Sequence, residues 1–239
     1  MESVLPGKEG DPGRTAADNR WFVEAVLWIG RTGYPWRDLP KEFGRWHTVY
    51  MRFSRWRRKG VWERVAHTLS GETEIKCVLI DSTIVRAHQH SAGARKKAAR
   101  KALGRSRGGL TTKLRLAVDE AGRPLRMIVT EGQVSDISCA HELVEHLRTG
   151  AVIADKGYDS DAFVNTIRAT RAKAVIPPRS NRTTKRRYSR ALYRTRNIVE
   201  RFFNRIKHLR RVSTRYDKLA GNYFAFAVLA CALGPLVRM

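Results

Sequence analysis

Near residue 75 the apolar pattern of this 239-residue chain changes period, and that change restricts the folds open to it. Upstream, large apolar residues recur at helical spacing; downstream, short unbroken apolar runs alternate with amphipathic stretches. Cys77–Ile80 is such a run and ends at Asp81, which predicts a short buried strand. Leu110–Asp119 alternates in part, and with Glu120–Arg123 as turn and Pro124–Thr130 as partner it predicts a hairpin. Cys139–Leu147 reads as a helix, Ala151–Ala154 as a second buried strand ending at Asp155, and Ser160–Arg171 as a helix with Ser160 at its N-cap. Ala174–Ile176 is a further strand stopped by Pro177 and Pro178, and Tyr193–Lys207, free of Gly and Pro, reads as one helix. Strand, hairpin, helix, strand, helix, strand and helix in that order give a mixed α/β domain, a central sheet covered by helices.

The first part is different. All six tryptophans fall between Trp21 and Trp62. Trp21–Ile29 predicts an apolar helix closed by Gly30 and Gly33. Trp46, Val49, Tyr50, Phe53 and Trp56 recur at helical spacing until Gly60, and Val61–Leu69 starts another helix. The expected organisation is a helical Trp-rich region over residues 1–75 and an α/β domain over 76–239. A small bundle with one basic helix suits a helix-turn-helix arrangement, which makes Arg52 and Arg55 candidate DNA contacts.

Lys and Arg number 47 against 22 Asp and Glu, a formal charge of +25. Self-repulsion on that scale calls for a polyanionic partner, and double-stranded nucleic acid leads. Two segments lack any acid, Ala87–Val118 and Ala162–Val199. Their densest cations, among them Lys96, Lys97, Arg186 and Arg187, lie in basic loops near 87–110 and 179–190 that are expected to order on a phosphate backbone. No apolar run follows Met1, and the last one, Tyr223–Val237, is broken by Gly234 and Pro235 and reads as a core helix; no membrane partner is expected and a cytoplasmic protein is. Cys77, Cys139 and Cys231 form no C-x-x-C pair and suit buried thiols of a reducing compartment. A P-loop and a G-x-G-x-x-G are both missing, so no nucleotide cofactor is expected.

Chemistry concentrates on three acids. Asp81 and Asp155 each follow four residues of buried-strand character, and carboxyl ends of strands are where sites form in α/β sheets. On the helix, positions Tyr193, Arg196, Glu200 and Lys207 share an arc of about 60°. Glu200 is then either a salt-bridge partner of its cations or a metal ligand. Three acids around one point cannot all ionise without compensation, and a divalent cation supplies it. Mg²⁺ is suited to carboxylates, and two ions would serve phosphoryl transfer. Asp136 and Glu131 are the only substitutes among the remaining acids.

These residues carry a resemblance. Asp81 in Ile80-Asp81-Ser82-Thr83, Asp155 in Ala154-Asp155-Lys156-Gly157-Tyr158-Asp159, and Tyr-x2-Arg-x3-Glu-x6-Lys as Tyr193, Arg196, Glu200 and Lys207 resemble the DDE transposases of the insertion-sequence-five group. The likeness spans nearly the whole chain. It implies an RNase H-like mixed sheet after a helical N-terminal domain, and catalysis at Asp81, Asp155 and Glu200 with Mg²⁺ or Mn²⁺. It also implies binding to the terminal inverted repeats of a mobile element, and hydrolysis freeing a 3′-OH that then attacks target DNA. Work on two element ends implies a homo-oligomer, and a bacterial source implies the nucleoid. A catalytically idle DNA-binding relic or repressor derived from a transposase is the alternative. Members usually carry a further helical segment before the region that here begins near Leu5-Pro6-Gly7.

Overall fold

The computed structural model describes residues 4–11, 15–16, 18–70, 74–92 and 102–233. Among them the α/β part is organised by β1 (Cys77–Ala87), which pairs on both edges. On one edge β3 (Gly109–Asp119) runs antiparallel to it from Val78 opposite Asp119 to Arg86 opposite Thr111. β4 (Pro124–Glu131) continues the antiparallel sheet beyond β3, with the short β2 (Gly104–Ser106) beside the start of β3. On the other edge β5 (Ala151–Ile153) is parallel to β1, and β6 (Lys173–Val175) is parallel to β5. Three antiparallel strands followed by two parallel ones is the RNase H-like order.

The strand expected to stop at Asp81 runs six residues further. Its unbroken apolar run does stop there: Val78, Leu79 and Ile80 are fully buried, Asp81 to Ile84 are partly or largely exposed, and only Val85 is buried again. The ladder to β3 continues regardless, because strand pairing is made by backbone N–H and C=O groups that do not read side-chain polarity. Asp81 therefore sits mid-strand, where β1 leaves the core. β3 also departs from a one-sided hairpin strand, since Lys113, Arg115 and Asp119 are buried along with its apolar residues.

Helices cover the sheet. α4 (Ala140–Val144) and α5 (Asp161–Ala169) bring Ala140, Leu143, Phe163, Val164 and Ile167 into a core with Val78, Ile80 and Val152. Ser160 occupies the N-cap position of α5, but its side chain makes no capping hydrogen bond. The single helix expected over 193–207 is three pieces: α6 (Arg190–Tyr193), a 3-10 turn over Arg194–Arg196, and α7 (Asn197–Ile206). Val199, Phe202, Phe203 and Ile206 form its buried side.

The helical part contains α1 (Asn19–Thr32), α2 (Trp46–Arg58) and α3 (Val61–Ser70), as expected from the tryptophan spacing. Gly60 takes a left-handed φ of 63°, which lets α3 start with only two residues between it and the end of α2. Chain contacts divide the structure into two units, and the sequence boundary at 75/76 follows them only in part. The helical unit also takes the segment from Ala87 and everything from Ile206, including α8 (Arg210–Ser213) and α9 (Ala220–Leu233). The reason is packing. α9 is buried on all sides, and it fills the helical unit against α3, with Phe226 stacked on Phe53 at 4.8 Å. Phe53 and Trp62 lie 5.7 Å apart at its centre, both essentially inaccessible. Trp62→Ala is expected to lower unfolding free energy by about 3–5 kcal/mol in urea denaturation, the usual cost of truncating a fully buried large aromatic; a loss below about 1 kcal/mol would mean the ring is not part of this core.

Candidate active site

The α/β unit brings two of the three predicted acids onto one guanidinium. Arg196 Nη1 donates to Asp81 Oδ2 at 2.8 Å, and Arg196 Nη2 donates to Glu200 Oε1. Asp81 comes from mid-β1 and Glu200 from the first turn of α7, so this contact joins residues 119 positions apart through one side chain. The third acid is near the first. β1 and β5 pair in parallel as far as Leu79 opposite Ile153, so Asp81 and Asp155 each lie two residues beyond the last paired position, and the charge of Asp155 acts on Asp81. β5 has ended by then, and Asp155 instead caps a 3-10 turn over Lys156–Tyr158, its Oδ1 accepting from the backbone N–H of Gly157 at 2.8 Å. A Cβ on residue 157 would stand 2.9 Å from that oxygen, closer than real contacts allow, which accounts for the glycine.

Electrostatics follow from placement. Burial is the main cause that pushes Asp81 up to about 6; Asp155 and Glu200 push the same way, while the Ser82 N–H at 2.8 Å and Arg196 oppose it. Arg196 loses some basicity to burial but gains more from Asp81 and Glu200, so its pKa is raised. Burial also raises the phenols of Tyr193 and, more strongly, Tyr158. Tyr158 is 1% exposed, its hydroxyl lacks a hydrogen-bond partner among the described residues, and it feels the charges of Asp136, Asp81 and Asp155.

Carboxylate oxygens are the donors that Mg²⁺ and Mn²⁺ take. The donor chemistry of Asp81, Asp155 and Glu200 therefore fits such an ion. Among the described residues no three Asp, Glu, His or Cys side chains are gathered closely enough to hold a metal as they stand. Arg196 provides the positive charge that Asp81 and Glu200 share. The substitutes Asp136 and Glu131 are engaged elsewhere: Asp136 with Lys113 at 3.1 Å and the buried Arg115 at 3.4 Å, and Glu131 with Gln133.

The remaining candidates divide. Tyr193 ends α6 and packs its ring 5.5 Å from Tyr188. α7 ends at Ile206, so Lys207 lies in the following turn and outside the helical spacing that linked it to Glu200. Arg52 is committed inside the helical unit, stacked 4.2 Å from the Phe22 ring centre and bonded to Asn19, whereas Arg55 is exposed. Arg186 is not a free cation either. It pairs with Asp159 and Asp161, and Arg182 joins both acids. The acid-free tract that begins at residue 162 thus has its counter-charge just upstream, on Asp159 and Asp161. Arg187 is exposed, and Lys96 and Lys97 lie outside the described residues. A spacing rule could not find Asp159's role, since its partners are 23 and 27 residues away.

Residues 72–234 match the family model "Transposase DDE domain". The chain belongs to the DDE transposases. Residues 1–66 match the model "Putative transposase of IS4/5 family". A "Putative transposase for insertion sequence element IS6501" of Brucella ovis is 39% identical over 129 residues, 52% of this transposase and 97% of the relative. "Uncharacterized protein y4sN" of Sinorhizobium fredii is 44% identical over 96 residues, 40% of this chain and 77% of the relative. The fold is shared with a piggyBac transposase solved in a synaptic complex with hairpin DNA, at a TM-score of 0.58 and 11% identity, covering 98% of this transposase and 68% of that chain.

The raised Asp81 carboxyl has a stability consequence. Folding strengthens its hold on the proton, so without divalent cation the folded state loses stability as pH rises from about 4 to about 6. Asp81→Asn, which cannot ionise, is expected to flatten that fall and to melt above the wild type at about pH 8 in EDTA, with the gap closing near pH 4. A variant that melts lower at every pH would refute the assignment of this cost to the carboxylate.

Proposed function

We propose that Asp81, Asp155 and Glu200 hold the divalent cations of a transposition reaction on double-stranded DNA, and that this chain cuts and joins the terminal inverted repeats of an insertion sequence. The observation that carries the reading is the shared guanidinium: two acids from opposite ends of the domain meet on Arg196. An acid that folding leaves with a pKa near 6 is primed for a stronger counter-charge than one Arg provides. Mg²⁺ or Mn²⁺, as one ion or a pair, would activate the attacking oxygen and stabilise the leaving one.

This chain's own residues do the positioning. The parallel pairing of β1 with β5 supports a placement of Asp81 and Asp155 near each other, and the Gly157 N–H holds one oxygen of the Asp155 carboxylate. Arg196 neutralises two acids; once they have another counter-charge, its planar fork of donors suits a DNA phosphate. Tyr193, Lys207, Arg55 and Arg187 supply further contacts to the backbone or to an unstacked base. In the first step water attacks a phosphodiester at the element end and the 3′ oxygen leaves as a hydroxyl. In the second that hydroxyl attacks a target phosphodiester, whose own 3′ oxygen leaves. Two ends cut together call for a homo-oligomer on DNA, in a cytoplasmic setting at the nucleoid. Among the described residues no helix is long and apolar enough to cross a membrane.

Cleavage of labelled inverted-repeat duplex in Mg²⁺ tests the reading. Asp81→Asn, Asp155→Asn and Glu200→Gln are each expected to abolish cutting and leave duplex affinity largely intact, and the Mg²⁺ concentration that wild-type cutting needs is expected to rise below about pH 6, where the proton on Asp81 competes with the cation. A mutant that still cuts removes that residue from the site. Gly157→Ala, which crowds the Asp155 carboxylate, is expected to lower the rate at least about tenfold, a displacement of the order that misplaced catalytic groups show.

A further inference from the structure

Within the helical unit lies a cavity of about 580 Å³ that the catalytic reading does not use. Its size falls in the range of about 300–1,000 Å³ usual for clefts that take a small ligand. Tyr34, Trp46, Tyr50 and Tyr216 line it, with the exposed cations Arg210 and Lys218 among its lining residues. Trp36 stands 5.4 Å from Tyr50, and His88 stands 5.1 Å from Tyr216, so aromatic rings meet in the walls.

The polar residues of the lining are unusual for a cavity that only water fills. Arg211, Asp217 and Asn222 are 4%, 6% and 3% exposed. Arg211 Nη1 bonds Asp217 Oδ1 at 3.1 Å, and Arg211 Nη2 bonds the Tyr34 carbonyl at 2.7 Å. Their other polar atoms are left over: Arg211 Nε, Asp217 Oδ2 and Asn222 Oδ1, joined by Trp36 Nε1, have no hydrogen-bond partner among the described residues. Two are donors and two are acceptors. Buried polar atoms left unpaired cost stability, and four around one cavity mark a place where a ligand brings the missing partners.

A ligand that suits this cavity is flat enough to stack on aromatic rings, carries donors and acceptors on one edge, and bears a negative charge for Arg210 and Lys218. A nucleotide has all three properties. We propose that this cavity receives a single unstacked DNA nucleotide, its base between the aromatic walls and its phosphate on the rim cations. The proposal rests on the DNA-processing reading, but it concerns a site in the other unit of the chain.

The full chain in EDTA, where no cutting occurs, is titrated against three duplexes of the same sequence. One is fully paired, one carries a single extrahelical nucleotide, and one carries an extrahelical abasic residue that keeps the phosphate. The expected result is at least about fivefold tighter binding of the extrahelical nucleotide than of the abasic duplex, the scale of one base stack. Tyr34→Ala combined with Trp46→Ala is expected to erase that preference and leave affinity for the paired duplex unchanged, with melting curves confirming the fold. Equal binding of nucleotide and abasic duplexes by the wild type overturns the proposal, as does a preference that survives in the double variant. Binding of free deoxynucleoside monophosphate without any duplex preference overturns the DNA source. Failure to bind even the paired duplex would count instead against the DNA-processing reading itself.

Discussion

The site depends on β1 being a strand that pairs on both edges through a stretch where its side chains turn polar. Its parallel partner β5 ends two residues before Asp155, and its antiparallel partner β3 keeps the backbone extended past Asp81. A carboxylate at a loop tip would be free to avoid its neighbours. Held mid-strand at the edge of the core, Asp81 cannot retreat, and the cost of its charge appears as a raised pKa. Arg196 answers part of that cost from α7's side of the domain.

How legible this was depended on whether the information was local. The apolar runs at Cys77–Ile80 and Ala151–Ala154, the hairpin and the two main helices α1 and α2 rest on periodicity, and they stand where the pattern put them. The end of β1 was not legible, because an apolar run records burial and a ladder records backbone pairing, and the two part company at Asp81. The break of the 193–207 helix into α6, a 3-10 turn and α7 has no Gly or Pro to announce it.

Long-range electrostatics were the least legible. Counting charges along the chain made Arg186 look unopposed, and Arg52 look available to DNA. In space Arg186 meets Asp159 and Asp161, and Arg52 lies on the Phe22 ring. The same limit hid α9's destination: its uniform apolarity says that it is buried, not which unit buries it. Asp81, Asp155 and Glu200 each sit beside a local pattern, but that Asp81 and Glu200 share one guanidinium was not legible, since it depends on a single Arg side chain between residues far apart in sequence.

Asp159 holds more than charge. Its carboxylate, in a residue only 5% exposed, receives Arg182, Arg186 and the backbone N–H of Arg179, which ties a polar tract with little apolar material of its own to the end of β5. Between Asp155 and Glu200 the chain is long, and an untethered chain of that length would leave Glu200 to wander. Pinned at 159 and 186, it behaves as a much shorter tether, with correspondingly less closure entropy to overcome when the helix carrying Glu200 is brought to the sheet. Asp159 thereby shortens the tether on which the third candidate carboxylate is carried.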